Sequence, residues 1–440
     1  MWLLPLLPRV ASLATRTYYR LSRAGERVPR EGPVLVVANH PNSLLDPALV
    51  SVAAERPIRF LAKAPLFTDP LVGWLVRGAG SIPVYRRQDD AAQVGRNEEM
   101  FAAVYAALVG GSAVGIFPEG LSHSNPSLAP LRTGAARIAL GAAAARGGVP
   151  FPIVPVGLVF RDKDVFRSEA LLVVGRPVAW DDLAPGDPGD AGAVRVLTER
   201  IDAALREVTV NLERWEDAPV VEAAEAIWSA EYGAEPGDVH RLGRTHEAAR
   251  LLERVRAEGD ARWAPLARDV RIHARALARL RLRPADLAAP EPTTVGAAWW
   301  TVRQLPFAAA ALLAVLGAAI YWLPYRATGW VADRAGPAED IRSTWKLLAG
   351  ALLHVAWTVL LAALAAWSGG WVAGAAALVL LPVLALLALH TLERWGRARE
   401  DARRFFALRR GARLADLRAR QRALAERLRA LREGVVAERR

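Results

Sequence analysis

The chain has no cysteine among its 440 residues. Disulfides, thiolate nucleophiles and cysteine-ligated metals are therefore excluded, and thiol usage says nothing about the redox compartment. Methionine occurs only twice, and lysine is so scarce that arginine supplies nearly all of the 57 basic residues. Against them stand 45 acidic residues, for a formal net charge of +12. The excess is concentrated at the end, where sixteen arginines face seven acids between Glu393 and Arg440. A localised charge of that kind suits an anionic partner such as lipid headgroups. No fold-specific nucleic-acid motif accompanies it, so nucleic acid is not an expected partner. His240, His246 and His273 lack the spacing of a pattern such as HExxH, and no metal site is expected. The first residues, MWLLPLLP, carry no charge ahead of a short apolar run that two prolines break. They read poorly as a signal peptide.

What is present begins with residues 1–29, read as an amphipathic or membrane-associated helix. Trp2, Leu6, Leu7, Tyr18 and Tyr19 are its membrane-facing candidates, and a helix packed on the following domain is the alternative. Residues 30–214 alternate short apolar runs with longer amphipathic or small-residue stretches. Strands are expected at Val34–Ala38, 58–62, 81–85, the run ending at Phe117, 151–158 and 171–174. Helices are expected at 66–76, 91–109, within 128–145 and at 193–214. That order predicts an α/β domain in which helices flank a sheet. Residues 215–298 read as a helical, arginine-rich accessory region.

Residues 299–393 change character. Three apolar stretches, at about 305–325, 347–367 and 371–392, approach the ~20 residues that cross a bilayer core. Tryptophan and tyrosine cluster at their ends, as at membrane interfaces. Ser368-Gly369-Gly370 is a tight turn, so the last two form a hairpin. Three full crossings would place residues 1–300 and the basic tail on opposite sides, although both are rich in arginine. The tail, 394–440, reads as a basic amphipathic helix with leucines at 408, 414, 417, 424, 428 and 431, suited to a lipid surface or a short coiled coil.

Four places carry candidate chemistry. His40 follows a buried strand, and Asp46 closes the next turn. A histidine beside an aspartate is a candidate general base for an alcohol, and a helix cap beside a surface histidine is the alternative. Arg86 and Arg87 follow the third strand and suit bidentate phosphate recognition or a solvated turn. Glu119 projects from a rigid Pro118/Gly120 turn at another strand end. Arg132 lies near a helix start whose amides suit phosphate.

These stretches, Asn39-His40-Pro41-Asn42-Ser43-Leu44-Leu45-Asp46, Gly80-Ser81-Ile82-Pro83-Val84-Tyr85-Arg86, Phe117-Pro118-Glu119-Gly120 and Ile153-Val154-Pro155, resemble in order and spacing the four motifs of the glycerolipid acyltransferases. The resemblance covers roughly residues 30–210. It implies a membrane-associated α/β enzyme that moves an acyl group from a thioester, acyl-CoA or acyl carrier protein, to a glycerolipid hydroxyl, with no metal or redox cofactor. It implies His40 as general base, Asp46 as its orienting partner and Arg86 as a contact to the acceptor phosphate. It also implies Glu119 and Gly120 in the acceptor-binding turn and Pro155 in a motif lining the acyl or acceptor pocket. Two departures stand out. Five residues, not the common four, separate histidine from aspartate, a variant of a branch that acylates glycerol-3-phosphate or dihydroxyacetone phosphate. Leu121-Ser122-His123 replaces the commoner Thr-Arg-Ser, so that His123 is a candidate substitute for a second phosphate-binding arginine. The expected acceptor is glycerol-3-phosphate or a related glycerolipid phosphate, with a lysophosphatidic acid or other lysophospholipid as the alternative and a non-catalytic membrane scaffold as the rival class. The expected location is a membrane, through several crossings or a hairpin anchor, with the catalytic domain in the cytoplasm.

Overall fold

The structure, a computed structural model, describes residues 2, 4–70, 72–85, 95, 97–212, 214–233, 238–257, 262–288, 294–335, 339–408 and 412–437. Its contacts divide into two compact units. The first is Met1–Trp215 with Pro236–Arg250 and Ala338–Thr344, and the second is Glu216–Glu235, Leu251–Pro337 and Trp345–Arg440.

The first unit is a seven-stranded sheet with flanking helices. In chain order it runs α1 (Leu7–Tyr18), β1 (Arg20–Gly25), β2 (Val34–Ala38), α2 (Leu45–Ala54), β3 (Ile58–Lys63), α3 (Gly73–Gly78), β4 (Ile82–Val84), α4 (Asn97–Val109), β5 (Ala113–Ile116), α5 (Gly134–Ala145), β6 (Ile153–Phe160), β7 (Glu169–Val174) and α6 (Ala191–Val208). The strand order is β1-β7-β6-β2-β5-β3-β4. All neighbouring pairs are parallel except β6 with β7. Every residue of β2 is buried, and so are seven of the eight in β6. Strands covered on both faces read as unbroken apolar runs, which is why VLVVA and IVPVGLV show no alternation. The core beneath α4, α5 and α6 gathers Leu35, Val37, Val104, Val114, Ile138, Ile153 and Leu197.

The six strands expected from sequence are present, and a seventh joins them. Arg20–Gly25 is no part of an anchor helix: it pairs in parallel with β7 at the sheet edge. Tyr18 and Tyr19, expected to face a membrane, are 2% and 0% exposed, and the Tyr19 ring packs against Phe160. Aromatic bodies of this size are drawn into the core once β1 joins the sheet. Trp2, Leu6, Val10 and Leu13 remain exposed on α1 and its approach.

The second unit holds what the sequence suggested were three successive regions, grouped differently. Its helices are α7 (Ala218–Tyr232), the latter part of α8 (Asp238–Ala257), α9 (Trp263–Leu280), α10 (Pro284–Ala288), α11 (Thr294–Ala335), most of α12 (Glu339–Leu408) and α13 (Ala412–Ala437). The tail does not stand alone. Leu424, Ala425, Leu428 and Leu431 of α13 are buried against Val220 and Ile227 of α7 and Leu266 and Val270 of α9. Leu408 and Leu414 share a second cluster with Leu277, Leu282 and Leu287. The leucine stripe is therefore a core face, and the arginines are its solvated side.

Two helical stretches, Ala311–Ala335 and Ile341–Gly396, are long and apolar enough to cross a membrane. The helix that carries the first, α11, runs through both Pro306 and Pro324. The second is bent back at Gly370, whose φ of 80° and ψ of 172° interrupt the helix. That backbone is open to glycine and strained for other residues. A Cβ on Gly374 would lie 2.6 Å from the Cβ of Ala366, so the two arms run closely side by side as the expected hairpin. Trp367 and Trp371 flank its tip, 87% and 80% exposed.

Truncating Leu424 to alanine tests the bundle. A buried leucine lost from a shared core costs about 2–5 kcal/mol, whereas an exposed tail leucine costs almost nothing. Thermal unfolding of the full chain followed by circular dichroism is expected to show the larger loss.

Candidate active site

Parallel pairing decides what meets what. The β2–β5 register sets Val37 opposite Ile116, and three residues further along each strand stand His40 and Glu119. The His40 N–H donates to Glu119 Oε1 at 2.9 Å. On the other side β2 pairs with β6, and the Asn39 side chain continues that ladder beyond the last strand residue. Its Oδ1 accepts from the Leu158 N–H at 2.8 Å and its Nδ2 donates to the Leu158 carbonyl at 3.0 Å. His40 is thus held from both neighbours at the carboxyl end of the sheet, where open α/β sheets leave a crevice.

The imidazole is fixed in turn. Asp46, in the first turn of α2, is fully buried. Its Oδ2 lies 2.8 Å from His40 Nδ1 and also accepts the Asn42 N–H at 2.7 Å. A carboxylate only accepts, so Nδ1 carries the proton and Nε2 keeps its lone pair. Burial pushes the Asp46 carboxyl above its ordinary value, opposed by His40, the Asn42 N–H and the Lys163 ammonium. The His40 ring stacks on Phe117 with centroids 4.0 Å apart, and Phe117 stacks on Phe60 at 5.7 Å. Gly115 makes room for that row, because a Cβ there would lie 2.4 Å from the Phe60 ring.

His40 opens onto a cavity of about 1080 Å³. Apolar side chains from several elements line it, including Leu44, Leu61, Leu75, Met100, Phe101 and Ile138. Two cations also line it, Lys63 at the end of β3 and Arg132 before α5. Both are exposed, and neither side chain has a hydrogen-bond or ion-pair partner among the described residues. The Arg132 stem crosses Gly120, where a Cβ would lie 3.3 Å from its Cγ and where φ is +76°. The result is an apolar chamber that also offers positive charge and one oriented imidazole. Such a chamber suits a fatty chain with an anionic polar end.

The comparisons with known proteins fall on this part of the chain. The family model described as Acyltransferase matches residues 21–159. The match covers less than half of the chain. A glycerol-3-phosphate O-acyltransferase of Saccharomyces cerevisiae is 36% identical over 136 residues, 30% of this chain and 18% of that protein. A lyso-ornithine lipid O-acyltransferase of Pseudomonas aeruginosa is 32% identical over 161 residues, 37% of this chain and 55% of that protein. A chloroplastic 1-acyl-sn-glycerol-3-phosphate acyltransferase of Brassica napus is 30% identical over 151 residues, 34% of this chain and 40% of that protein. The matches thus span about a fifth to a half of each relative's own length.

Within this matched region, the residues expected from sequence divide into those at the cavity and those behind it. His40, Gly120 and Arg132 line the cavity, and Asp46 sits directly behind His40. Glu119 does not line it. The carboxylate is 2% exposed and wholly engaged, with Oε1 on the His40 N–H and Oε2 on the Ala129 N–H at 2.7 Å and on His123 Nε2. His123 is no free substitute for a phosphate-binding arginine. Its Nδ1 accepts the Asn125 N–H and its Nε2–H faces Glu119, so both ring nitrogens are occupied. Pro155 is a strand residue opposite Val37 and not a cavity residue. It lies just before the β6–β7 ladder begins at Val156, where the absence of an N–H costs no ladder bond. Arg86 lies outside the described residues. Sequence reading assigned no role to Lys63, Lys163, Phe60 and Phe117. Lys63 had one available signal, being a lysine at a strand end in a chain that otherwise uses arginine.

Replacing Glu119 with alanine discriminates a buried clamp from a surface ligand group. It leaves the His40 and Ala129 N–H groups without their acceptor and costs about 3 kcal/mol or more. An exposed carboxylate that merely met a substrate would cost within about 0.5 kcal/mol. Thermal unfolding of the variant without any substrate present reads the difference.

Proposed function

We propose that the chain is a membrane-bound O-acyltransferase that moves a fatty acyl group from an acyl thioester to a hydroxyl of glycerol-3-phosphate or a related glycerolipid phosphate. The observation that carries this is the His40–Asp46 pair, opening on an apolar chamber that also presents Lys63 and Arg132. His40 Nε2 takes the acceptor hydroxyl proton as the oxygen attacks the thioester carbonyl, and Asp46 stabilises the imidazolium that forms. The tetrahedral intermediate collapses with release of the thiolate, which recovers the proton from the imidazolium. The ester and the free thiol are the products, and no acyl-enzyme, metal or redox cofactor enters. Lys63 and Arg132 hold the phosphate and so fix the hydroxyl beside Nε2, with Arg86 as a further phosphate contact by family resemblance. The acyl chain lies along Leu61, Leu75, Met100 and Phe101.

A phosphorylated glycerol acceptor is supported by the five-residue His40–Asp46 spacing and by the yeast relative's name. Acylation of a lysophospholipid is the second reading, supported by the plant relative, whose name specifies 1-acyl-sn-glycerol-3-phosphate as acceptor. The donor is acyl-CoA or acyl carrier protein. A degenerate scaffold would have no reason to keep the histidine–aspartate geometry intact.

The membrane part of this reading rests on the two apolar helical stretches and on exposed apolar side chains of α1. Trp2 stacks on Trp74, both more than half exposed. The helices α7 and α9 precede the apolar stretches and α13 follows them, yet they share one core. That shared core supports a reading in which both ends of the membrane part lie on one side and the number of crossings is even. The basic bundle then faces the cytoplasm with its arginines.

Full-length protein in lipid nanodiscs is offered glycerol-3-phosphate, dihydroxyacetone phosphate and lysophosphatidic acid with each donor type. Transfer to a phosphorylated acceptor is expected, and its loss in His40→Ala with unchanged membrane binding identifies the base. Near-normal transfer by that variant would sink the assignment. Arg132→Ala and Lys63→Ala are each expected to raise the acceptor KM by about 10-fold or more while leaving the donor KM unchanged. Because the chain has no cysteine, single cysteines at Arg271 and Arg432 can be labelled directly. A membrane-impermeant maleimide is expected to reach both from the same face of sealed vesicles, and opposite faces would refute an even number of crossings.

A further inference from the structure

We propose that Lys163, in the loop after β6, is a positioning residue that sets both the place and the protonation of the His40–Asp46 pair. This rests on the reading of His40 as the base. Lys163 is half-buried, and its ammonium donates to the Pro41 carbonyl at 2.8 Å and to Ser124 Oγ. Pro41 follows His40, and Ser124 follows His123, whose own N–H donates to the His40 carbonyl at 3.1 Å. One ammonium therefore ties together the two turns between which the base is held. The main chain of Lys163 does the same from behind. Its carbonyl accepts the Tyr19 hydroxyl, and Tyr19 in turn accepts from Asn42 Nδ2 at 2.7 Å, inside the turn that closes on Asp46. Ser343 Oγ lies 2.8 Å from the same carbonyl and 3.0 Å from Asp164 Oδ1, and its single proton serves one or the other. The loop thus links the first residues of α12 to the turn that carries the base.

Charge gives the second effect. Asp46 is fully buried, and its Oδ1 has no hydrogen-bond partner among the described residues. The titratable groups around the pair are Tyr19 just after α1, Glu119 and His123 from the turn after β5, Lys163, and, in the cavity that His40 opens onto, Lys63 and Arg132. Burial holds the Tyr19 hydroxyl protonated, well above its ordinary range. The Lys163 ammonium favours the ionised form of the buried carboxylate. A nearby cation opposes proton uptake by either member of a coupled pair, so removing it raises the pH at which the pair takes up its proton, whichever member is titrating.

The test uses full-length protein in nanodiscs and two readouts. One is the pH profile of kcat/KM for acyl transfer. The other needs no turnover: it is the pH dependence of carbethoxylation of His40 by diethylpyrocarbonate, read by mass spectrometry on its peptide. Lys163→Met is expected to move both the acid limb and the carbethoxylation midpoint upward by about one pH unit and to lower transfer at neutral pH by about tenfold. Lys163→Arg restores the midpoint, because the charge returns. Ser124→Ala leaves it in place, because only a hydrogen bond is lost. Should Lys163→Met fail to fold, Lys163→Gln removes the charge while keeping a donor and is held to the same outcome. A midpoint unmoved by neutral substitution overturns the proposal whatever happens to the rate, since a merely structural role lowers activity without shifting the titration. If wild-type protein transfers no acyl group but the His40 midpoint moves as stated, the acyltransferase reading falls and the role of Lys163 toward the pair stands.

Discussion

The parallel ladder between β2 and β5 ends in a hydrogen bond from the His40 N–H to the buried carboxylate of Glu119, and the geometry of the site depends on it. Two neighbouring parallel strands finish at the same edge of a sheet. Whatever each strand delivers in its next three residues is therefore brought together without any further device. Glu119 uses that closeness to bind the other turn. Its two oxygens gather the His40 N–H, the Ala129 N–H and the His123 ring, so the segment after β5 folds back over the end of β2. A buried carboxylate with that many donors is held in one orientation, and the imidazole beside it inherits the rigidity.

The imidazole is then defined from three directions. Asp46 fixes the tautomer from behind, the Phe117 ring fixes the plane by stacking, and Lys163 fixes the adjoining turn through Pro41. Nε2 is the ring position left for chemistry. The aromatic support reaches back to Phe60, and Phe60 fits only because residue 115 has no side chain. A glycine in the middle of β5 is thus a packing requirement of the site two residues away. The cavity gives this arrangement its chemical character, since its walls are apolar and carry two cations whose side chains are unpaired among the described residues.

The second unit obeys a different logic. Its bundle buries leucines from α13 against α7 and α9, joining chain segments separated by both apolar stretches. Tail and accessory region are one folded object, which is why neither alone had a readable role. The apolar helices present outward the side chains that a soluble unit would cover, with tryptophans at the bend. That distribution matches a hydrocarbon environment with an interfacial rim.

The sequence by itself determined the local elements and the chemical types. Unbroken apolar runs located the central strands, prolines and glycines located the turns, and the His40–Asp46 stretch offered a candidate base and its partner. These features depend on neighbours within a few residues, so they survive in one dimension. Only the tertiary structure decided which way Glu119 and His123 point, that Pro155 packs within the sheet, that Arg20–Gly25 is a strand and that the tail leucines form a core. Each of these depends on a partner more than a hundred residues away or on the far side of a turn. Period and composition carry no record of such a partner. Lys63 and Lys163 illustrate the limit best. As single letters they are solvent-exposed cations. The fold turns one toward a cavity and threads the other between two turns, because strand ends that are distant in sequence share one edge of the sheet.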